Sequence, residues 1–413
     1  MLRTLTLLPR FPSYISNSSS CCRVFKRKMS AKPAAPICPK FVSLEVGEDP
    51  TTSLFKDSRF RVVSYNILAQ VYVKSSYFPH SPSSSLKWKA RSQAVLTDLK
   101  NLNADFLCIQ ELDEYDTFYK SNMESHGYSC IYVQRDGQKR DGCGIFYKSR
   151  SAELVLHEEI HYNDLVTSVD YDTSSVETED NDTKDQTSKA TPEVSVKATN
   201  NSDHGDPNDP RVRLKRDCVG VLAAFKLSNP SQHLVVVAST HIYWDPEWID
   251  VKLAQVKYLL LRLTQFKELV SNKYCCTPSV IVTGDFNSTP GDEVYRYLVS
   301  ANAAAESSGS PYKLCSLYGT NGGEPPFTNV TPGFTGTLDY IFLSSRGYLK
   351  PVSLLELPGP ESADIVDGLP NLHHPSDHLP IGGDFEVLRF SSSTKLHEVE
   401  DDLVKLKIEE QKD

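Results

Sequence analysis

The sequence predicts an α/β protein in which one large core is built from buried strands, with helices packed outside them. Three observations carry this prediction. Apolar runs rich in β-branched residues, such as LVVVASTHI (234–242) and SVIVTGDFN (279–287), read as strands buried on both faces. Stretches with apolar residues at helical spacing alternate with those runs. Hydrophobic residues make up 39% of the chain and aromatics 10%, enough for a substantial core. A length of 413 residues fits one large α/β sandwich with helices outside as well as two or three average domains.

The folded texture begins at Arg59, where FRVVSYNIL alternates toward a buried strand. LKWKARSQAVLTDLKNL follows, with Trp88, Ala94, Val95, Leu99 and Leu102 at the spacing of an amphipathic helix. ADFLCIQEL is a short apolar strand ending in polar residues. GCGIFYKS (142–149) and VGVLAAFKL (219–227) read as two further strands. Between them, residues 164–209 are too polar and too poor in aromatics to fold alone, so they read as a disordered loop inserted between two strands. Such an insertion is tolerable because loop-closure entropy grows slowly with length. After LVVVASTHI comes DVKLAQVKYLLLRLTQFKELV, a long amphipathic helix, and then the SVIVTGDFN strand. GDEVYRYLVS begins a helix after Pro290, TLDYIFLS is another strand, and LPIGGDFEVLRF closes the pattern. The expected organisation is an N-terminal extension over 1–58, a folded domain over 59–390 interrupted at 164–209, and a charged tail over 391–413 with helical periodicity at Val399, Leu403 and Leu406. No internal repeat is visible.

The formal net charge of −9 argues at first against a polyanionic partner. Its distribution changes that reading. Residues 164–209 hold 12 acids against 3 lysines and contribute −9 by themselves, the tail from Lys395 adds −3, and the first 44 residues add +8. The remainder is near −5, tolerable if its carboxylates hold metal ions. Ten cysteines without a CxxC pair make neither a disulfide framework nor a zinc site, and read as reduced, mostly buried thiols of an intracellular protein. No run approaches about 18 apolar residues, so no membrane partner is expected. The first residues are rich in Ser, Arg and Lys and free of acids until Glu45, as organellar transit peptides are; an ordinary disordered terminus fits equally, and Met29 offers an internal start. Cytoplasm and nucleus are the expected locations, with mitochondrion or chloroplast following from the transit-peptide reading.

Five strand candidates carry the same kind of residue at one end. Asn66 follows RVVSY, Glu111 follows DFLCIQ, His241 follows VVVAST, Asp285 and Asn287 follow SVIVTG, and Asp339 begins DYIFLS; Asp377 and His378 immediately precede LPIGG. Buried strands that terminate in an acid, amide or imidazole deliver them to a shared rim. Singly, each has a bland explanation: a turn for Asn66 or GDFN, a helix cap for Ser376-Asp377-His378. Together they form an oxygen-rich set without cysteine, which selects Mg²⁺ or Mn²⁺ over zinc. Hard divalent ions clamped by carboxylates suit the hydrolysis of a phosphate ester.

SYNIL, CIQE, STHIYWDPEWIDVKLAQ, TGDFNSTP, TGTLDYIFLS and HHPSDHLPI resemble, in order, the signature segments of the endonuclease/exonuclease/phosphatase superfamily. They are most similar to the deadenylases called carbon catabolite repressor protein 4 homologues, with nocturnin a close relative. The resemblance covers residues 59–390 apart from the acidic insert. It implies two mixed sheets packed face to face, helices outside, and a site in the cleft at one end. It implies a 3′-exoribonuclease that shortens poly(A) tails and releases 5′-AMP with two Mg²⁺ ions, acting on single-stranded RNA. Glu111 would be the principal ligand of one ion with Asn66 beside it, and Asp285 and Asn287 would serve the second ion and the attacking water. His378 would contact metal or phosphate, oriented by Asp339, with Asp377 completing the acidic set and His241 donating to a non-bridging oxygen. Pro246 and Phe334 match positions that sandwich the 3′-terminal adenine, with Trp244 of the same WDPEW segment also on the substrate.

Two alternatives remain. EPPF and the spacing around EVY and PYKL lean toward nocturnin, hence toward a phosphatase acting on a phosphorylated dinucleotide. A non-catalytic scaffold whose acidic insert binds partners is the third reading, disfavoured because no position of the metal set is apolar. The longer relatives carry a leucine-rich repeat that docks them on the deadenylase scaffold. No L-x-x-L-x-L repeat precedes Arg59 here, which puts membership of that complex in doubt.

Overall fold

The computed structural model describes residues 39–44, 52–167, 206, 208–229, 233–299, 314–344 and 347–390. The expected presequence, most of the acidic insert and the charged tail lie outside the described residues. In chain order the elements are β1 (Phe41–Ser43), β2 (Thr52–Asn66), α1 (Trp88–Leu102), β3 (Phe106–Gln110), α2 (Lys120–Glu124), β4 (Tyr128–Gln134), β5 (Gly142–Lys148) and β6 (Ala152–His161). They continue with α3 (Pro210–Leu214), β7 (Val219–Leu227), β8 (Leu234–His241), α4 (Ile249–Tyr274), β9 (Ser279–Asp285) and α5 (Glu293–Val299). The last are β10 (Leu314–Ser316), β11 (Asn329–Thr331), β12 (Phe334–Gly336), β13 (Asp339–Ser344), β14 (Leu349–Leu355) and β15 (Ile381–Phe390).

Two mixed sheets form the body. One runs β1-β14-β15-β2-β3-β5-β4, the other β10-β13-β9-β8-β7-β6, and β11 and β12 make a separate hairpin. Period-2 alternation sorts each strand's side chains between two layers. Val62, Phe106, Cys108 and Ile145 from the first sheet meet Val221, Phe225, Val237 and Ile281 from the second in the central core. Their neighbours Val63, Leu107 and Ile109 face outward and are covered by Val95, Leu96, Leu99 and Leu102 of α1. On the other side Leu222, Val236, Ala238 and Val282 are covered by Val256, Leu259, Leu263 and Phe266 of α4. Each such buried aliphatic or phenyl side chain contributes about 1.5–3 kcal/mol. Strands covered on both faces by this arrangement read in the sequence as continuous apolar runs.

The two parallel pairs place the functional end. β2 and β3 pair in parallel across the α1 crossover, and β8 and β9 pair in parallel across α4. Their C-terminal ends, carrying Asn66, Gln110, His241 and Asp285, therefore lie at one rim. β13 runs antiparallel to β9 with Asp339 opposite Asp285, so its first residue arrives at the same rim. β15 begins at Ile381 opposite Ser64, which brings the 376–380 segment there as well. Gly284 makes the β8–β9 approach feasible. At φ +150° a Cβ there would lie 2.1 Å from the Thr240 carbonyl oxygen.

Strands β1, β4, β6, β10, β11, β12 and β14 add to those read from the sequence. β4 and β6 escaped because partial exposure breaks their apolar runs, their burial alternating irregularly along AELVLHEEIH and YSCIYVQ. No helix of the described residues is long and apolar enough to cross a membrane.

Candidate active site

Asp285 is the hub. It ends β9, is fully buried, and accepts at Oδ1 from the Asn287 N–H at 2.9 Å. Three nitrogens converge on its Oδ2: Asn66 Nδ2 at 3.0 Å, His241 Nε2 at 3.5 Å and His378 Nε2 at 3.6 Å. Asn66 Nδ2 also donates to Glu111 Oε1 at 3.1 Å, while Glu111 Oε2 accepts from the Ala69 N–H at 2.8 Å. Hydrogen bonds thus join the end of β2, the residue that follows β3 and the end of β9, and His241 at the end of β8 approaches the same carboxylate.

The second half comes from β13 and the segment before β15. His378 Nδ1 lies 2.7 Å from Asp339 Oδ2, which also accepts from Thr328 Oγ1 at 2.6 Å. An ionised carboxylate only accepts, so Nδ1 carries its proton and Nε2 turns to Asp285. One potential ligand atom each from Asp285, Asp339 and His378 lies within 4.8 Å of the others, a group able to hold a divalent cation.

The electrostatics fit such a cation. Burial pushes the Glu111 carboxyl up to about 8, reinforced by Asp377 and Asp141. Burial and the neighbouring Asp339 likewise raise Asp285. Burial works against a charged His378, but Asp339 and Asp285 outweigh it and hold its pKa well above the usual range. His241 moves the other way, down to about 4, chiefly through burial. Asp339 Oδ1 and Asp377 Oδ1 are buried with no hydrogen-bond partner. Acceptor oxygens without donors, and acids held toward neutrality by desolvation and mutual repulsion, are what a bound cation relieves.

Two strand exits are strained. Glu111 at φ 53° and Asn287 at φ 46° sit in the left-handed region, which re-aims each side chain as its strand ends.

The structure brings together Asn66, Glu111, His241, Asp285, Asp339 and His378. Asn66 faces the carboxylates with its amide nitrogen, and its Oδ1 accepts from the Leu68 N–H at 3.0 Å. Asn287 turns Nδ2 to the Ile242 carbonyl at 3.0 Å, which ties it to the exit of β8. Asp377 lies at the edge, its carbonyl accepting from the Val330 N–H at 3.1 Å. Phe334 stands on β12, 39% exposed, in the hairpin whose Asn329 bridges to His378. Trp244, 63% exposed, and Pro246, also exposed, follow His241 in the chain.

Sequence reasoning missed the residues that fasten the cluster. Arg91 of α1 is 2% exposed and donates to the carbonyls of Leu68, Pro375 and Ile67 and to Gln70 Oε1. Ser376 Oγ donates to the Asn66 carbonyl at 2.7 Å and accepts from the His378 N–H at 3.1 Å. Lys252, 3% exposed, donates to the Asn287 carbonyl at 2.8 Å. A signal existed for two of them: Arg91 and Lys252 are charges on the apolar stripes of amphipathic helices.

Residues 63–378 match the Endonuclease/Exonuclease/phosphatase family. Carbon catabolite repressor protein 4 homolog 4 of Arabidopsis thaliana is 57% identical over 349 residues, covering 83% of this chain and 81% of its own. The CCR4-Not complex 3'-5'-exoribonuclease subunit Ccr4 of Mycosarcoma maydis is 30% identical over 387 residues, covering 82% of this chain and 52% of its own. The chain thus spans about half the length of that subunit. Among solved structures, ANGEL2, described as a 2',3'-cyclic phosphatase, in complex with adenosine-2',3'-vanadate aligns with a TM-score of 0.62 at 23% identity, over 86% of this chain and 99% of that one. The human Nocturnin catalytic domain with bound sulfate anion aligns at 0.55 and 22%, over 86% and 97%. At these identities the two structures speak for the fold.

Proposed function

The chain belongs to the Endonuclease/Exonuclease/phosphatase family, and from that premise we propose that it is a Mg²⁺-dependent 3′-exoribonuclease that shortens poly(A) and releases 5′-AMP. The observation that carries the reading is the buried cluster of Asp285, Asp339 and His378, closed by Asn66 and Glu111, at the rim of two parallel strand pairs. The name of one relative that aligns over most of the chain, a 3'-5'-exoribonuclease subunit, supports RNA as substrate.

In this reading Glu111 and Asp285 would hold Mg²⁺, with Asn66, Asn287, Asp377 and His378 beside them. When bound, the metal neutralises charge on the phosphate and lowers the pKa of a nearby water. Two ions are proposed, one on the Glu111 side and one on the Asp285 side. The chain supplies the rest. Asp285 Oδ2, at the convergence of three nitrogens, is placed to accept the proton of the attacking water. His378, fixed by Asp339, keeps Nε2 on the Asp285 side, where it would meet the reacting phosphate, and His241, at the neighbouring end of β8, would donate to a non-bridging oxygen. Pro246 and Phe334, exposed on segments leaving His241 and bridging to His378, form the walls for the terminal adenine.

The test is incubation of the chain and its Asp285→Ala variant with 5′-labelled RNA ending in oligo(A), beside the same RNA ending in oligo(C), in Mg²⁺ and then EDTA. Stepwise loss of the A tail alone, abolished by EDTA and in the variant, supports the proposal. Equal trimming of both tails removes the adenine pocket. Intact RNA with release of inorganic phosphate from a phosphorylated dinucleotide replaces it with the phosphatase reading.

A further inference from the structure

His241, at the end of β8, pairs with Val219, at the start of β7. The chain entering β7 (PRVRLKRDC) and the chain leaving β8 (IYWDPEW) therefore emerge side by side at the rim of the site. They interlock there. The Arg216 guanidinium lies 4.1 Å from the Trp248 ring centre and 5.3 Å from that of Tyr243, and Arg213 lies 4.0 Å from Trp248. Trp244, whose ring is 6.0 Å from Tyr243, stands 63% exposed at the edge of this stack. Ile242, between His241 and Tyr243, receives the Asn287 amide, so the stack is continuous with the catalytic cluster.

The cations differ in what they can still bind. Arg213 is paired with Asp250 at 2.6 Å and Arg211 with Asp209 at 2.9 Å. Asp217 accepts from Asn163, and Asp245 accepts from the Glu247 N–H within its own turn. Among the described residues Lys215 and Arg216 have no carboxylate partner, and the Arg216 Nε is shielded from solvent without a hydrogen bond. Lys215 is exposed. A flat aromatic face in water, joined through Tyr243 to Arg216 and so to its exposed chain neighbour Lys215, suits a chain that presents bases and phosphates alternately.

We propose that Lys215, Arg216 and Trp244 form a second contact surface for single-stranded nucleic acid, which binds the nucleotides upstream of the scissile phosphate. This deepens the nuclease reading and rests on it. Upstream phosphates lie on Lys215 and Arg216 and a base stacks on Trp244, which is backed by Tyr243, itself packed on Trp248. The surface makes long RNA a better substrate than a short one through binding alone.

The test uses the full chain, the double variant Lys215→Ala/Arg216→Ala, and separately Lys215→Glu and Trp244→Ala. Initial rates in Mg²⁺ on fluorescein-labelled oligo(A) of roughly 4 and roughly 16 nucleotides give KM and kcat. Anisotropy of the longer RNA in EDTA between about 50 and 200 mM salt gives the salt slope. The double variant is expected to raise KM for the longer RNA about tenfold more than for the shorter, and to flatten the log–log salt slope by about 1.4, the share of two phosphate contacts on a single strand. Trp244→Ala is expected to raise the longer RNA's KM about tenfold. If the parent cleaves the longer RNA but all variants keep its KM ratio and salt slope, this surface is refuted and the nuclease reading stands. If the parent neither cleaves nor binds either RNA, both fall. Melting curves accompany each variant; should Arg216→Ala unfold the chain, exposed Lys215 and Trp244 decide alone.

Discussion

Arg91 is the residue whose removal should reach furthest into the site. Its guanidinium, 2% exposed, joins two segments distant in sequence: residues 67–70, which follow β2, and Pro375, just ahead of His378. The first segment orients Asn66 and, through the Ala69 N–H, Glu111; the second carries Ser376, which bonds the Asn66 carbonyl, and His378. Arg91→Met fills most of the volume but leaves the Leu68, Ile67 and Pro375 carbonyls without their donor. Each hydrogen bond to a charged group is worth about 1.5–3 kcal/mol, and each buried carbonyl left without a donor costs about 1–3 kcal/mol, so the variant should lose several kcal/mol. Loosening two segments that position reacting groups lowers kcat about a hundredfold, the cost of roughly an ångström of misplacement. Urea denaturation followed by circular dichroism reads the first effect and oligo(A) trimming in Mg²⁺ the second. Arg91→Lys, which keeps the charge but not the fork, should fall between parent and Met variant. A Met variant within about 1 kcal/mol of the parent, with kcat inside threefold, would falsify the claim that Arg91 fastens the site.

Asp339→Asn should keep the Thr328 contact yet remove the charge facing His378, and kcat is expected to drop at least about a hundredfold with little change in melting temperature, measured on the same RNA. Gly284→Ala forces a Cβ against the Thr240 carbonyl at a φ of +150°, so we expect a destabilisation above about 3 kcal/mol and a weakened β8–β9 pair, read by thermal melting and amide exchange. Burial works to raise the Asp384 pKa, but the bonds from Arg61 and Ser353 outweigh it and hold it below the ordinary 3.8. A depressed carboxylate stabilises the fold above its unfolded pKa and loses that contribution as pH falls through the folded one. Asp384→Asn should therefore cost about 1–3 kcal/mol at pH 7, with the gap to the parent closing below about pH 4; a gap constant down to pH 2 would contradict the assignment.

The sequence by itself determined the α/β class, the order of the buried strands and both crossover helices, because strands covered on two faces leave unbroken apolar runs and α1 and α4 leave a helical stripe. It also pointed to the candidate cluster, since Asn66, Glu111, His241 and Asp285 each sit where an apolar run stops and Asp339 where one starts. Tertiary structure alone decided what those residues touch. Nothing in a linear pattern says that Asp285 Oδ2 collects three nitrogens from three other elements, or that Asn66 offers its nitrogen to the carboxylates and its oxygen to Leu68. Strands β4 and β6 were hidden because a half-exposed strand mixes its signals. Ser376 was hidden, and the partners of Arg91 and Lys252 stayed unreadable although both stand out as charges on apolar helical stripes, because what these three bind is mainly backbone carbonyls and amides, which every residue carries. Apolar periodicity records burial, which a residue experiences with its sequence neighbours; a hydrogen bond between Arg91 and Pro375 depends on two segments 284 residues apart meeting, and only the packed sheets bring them together.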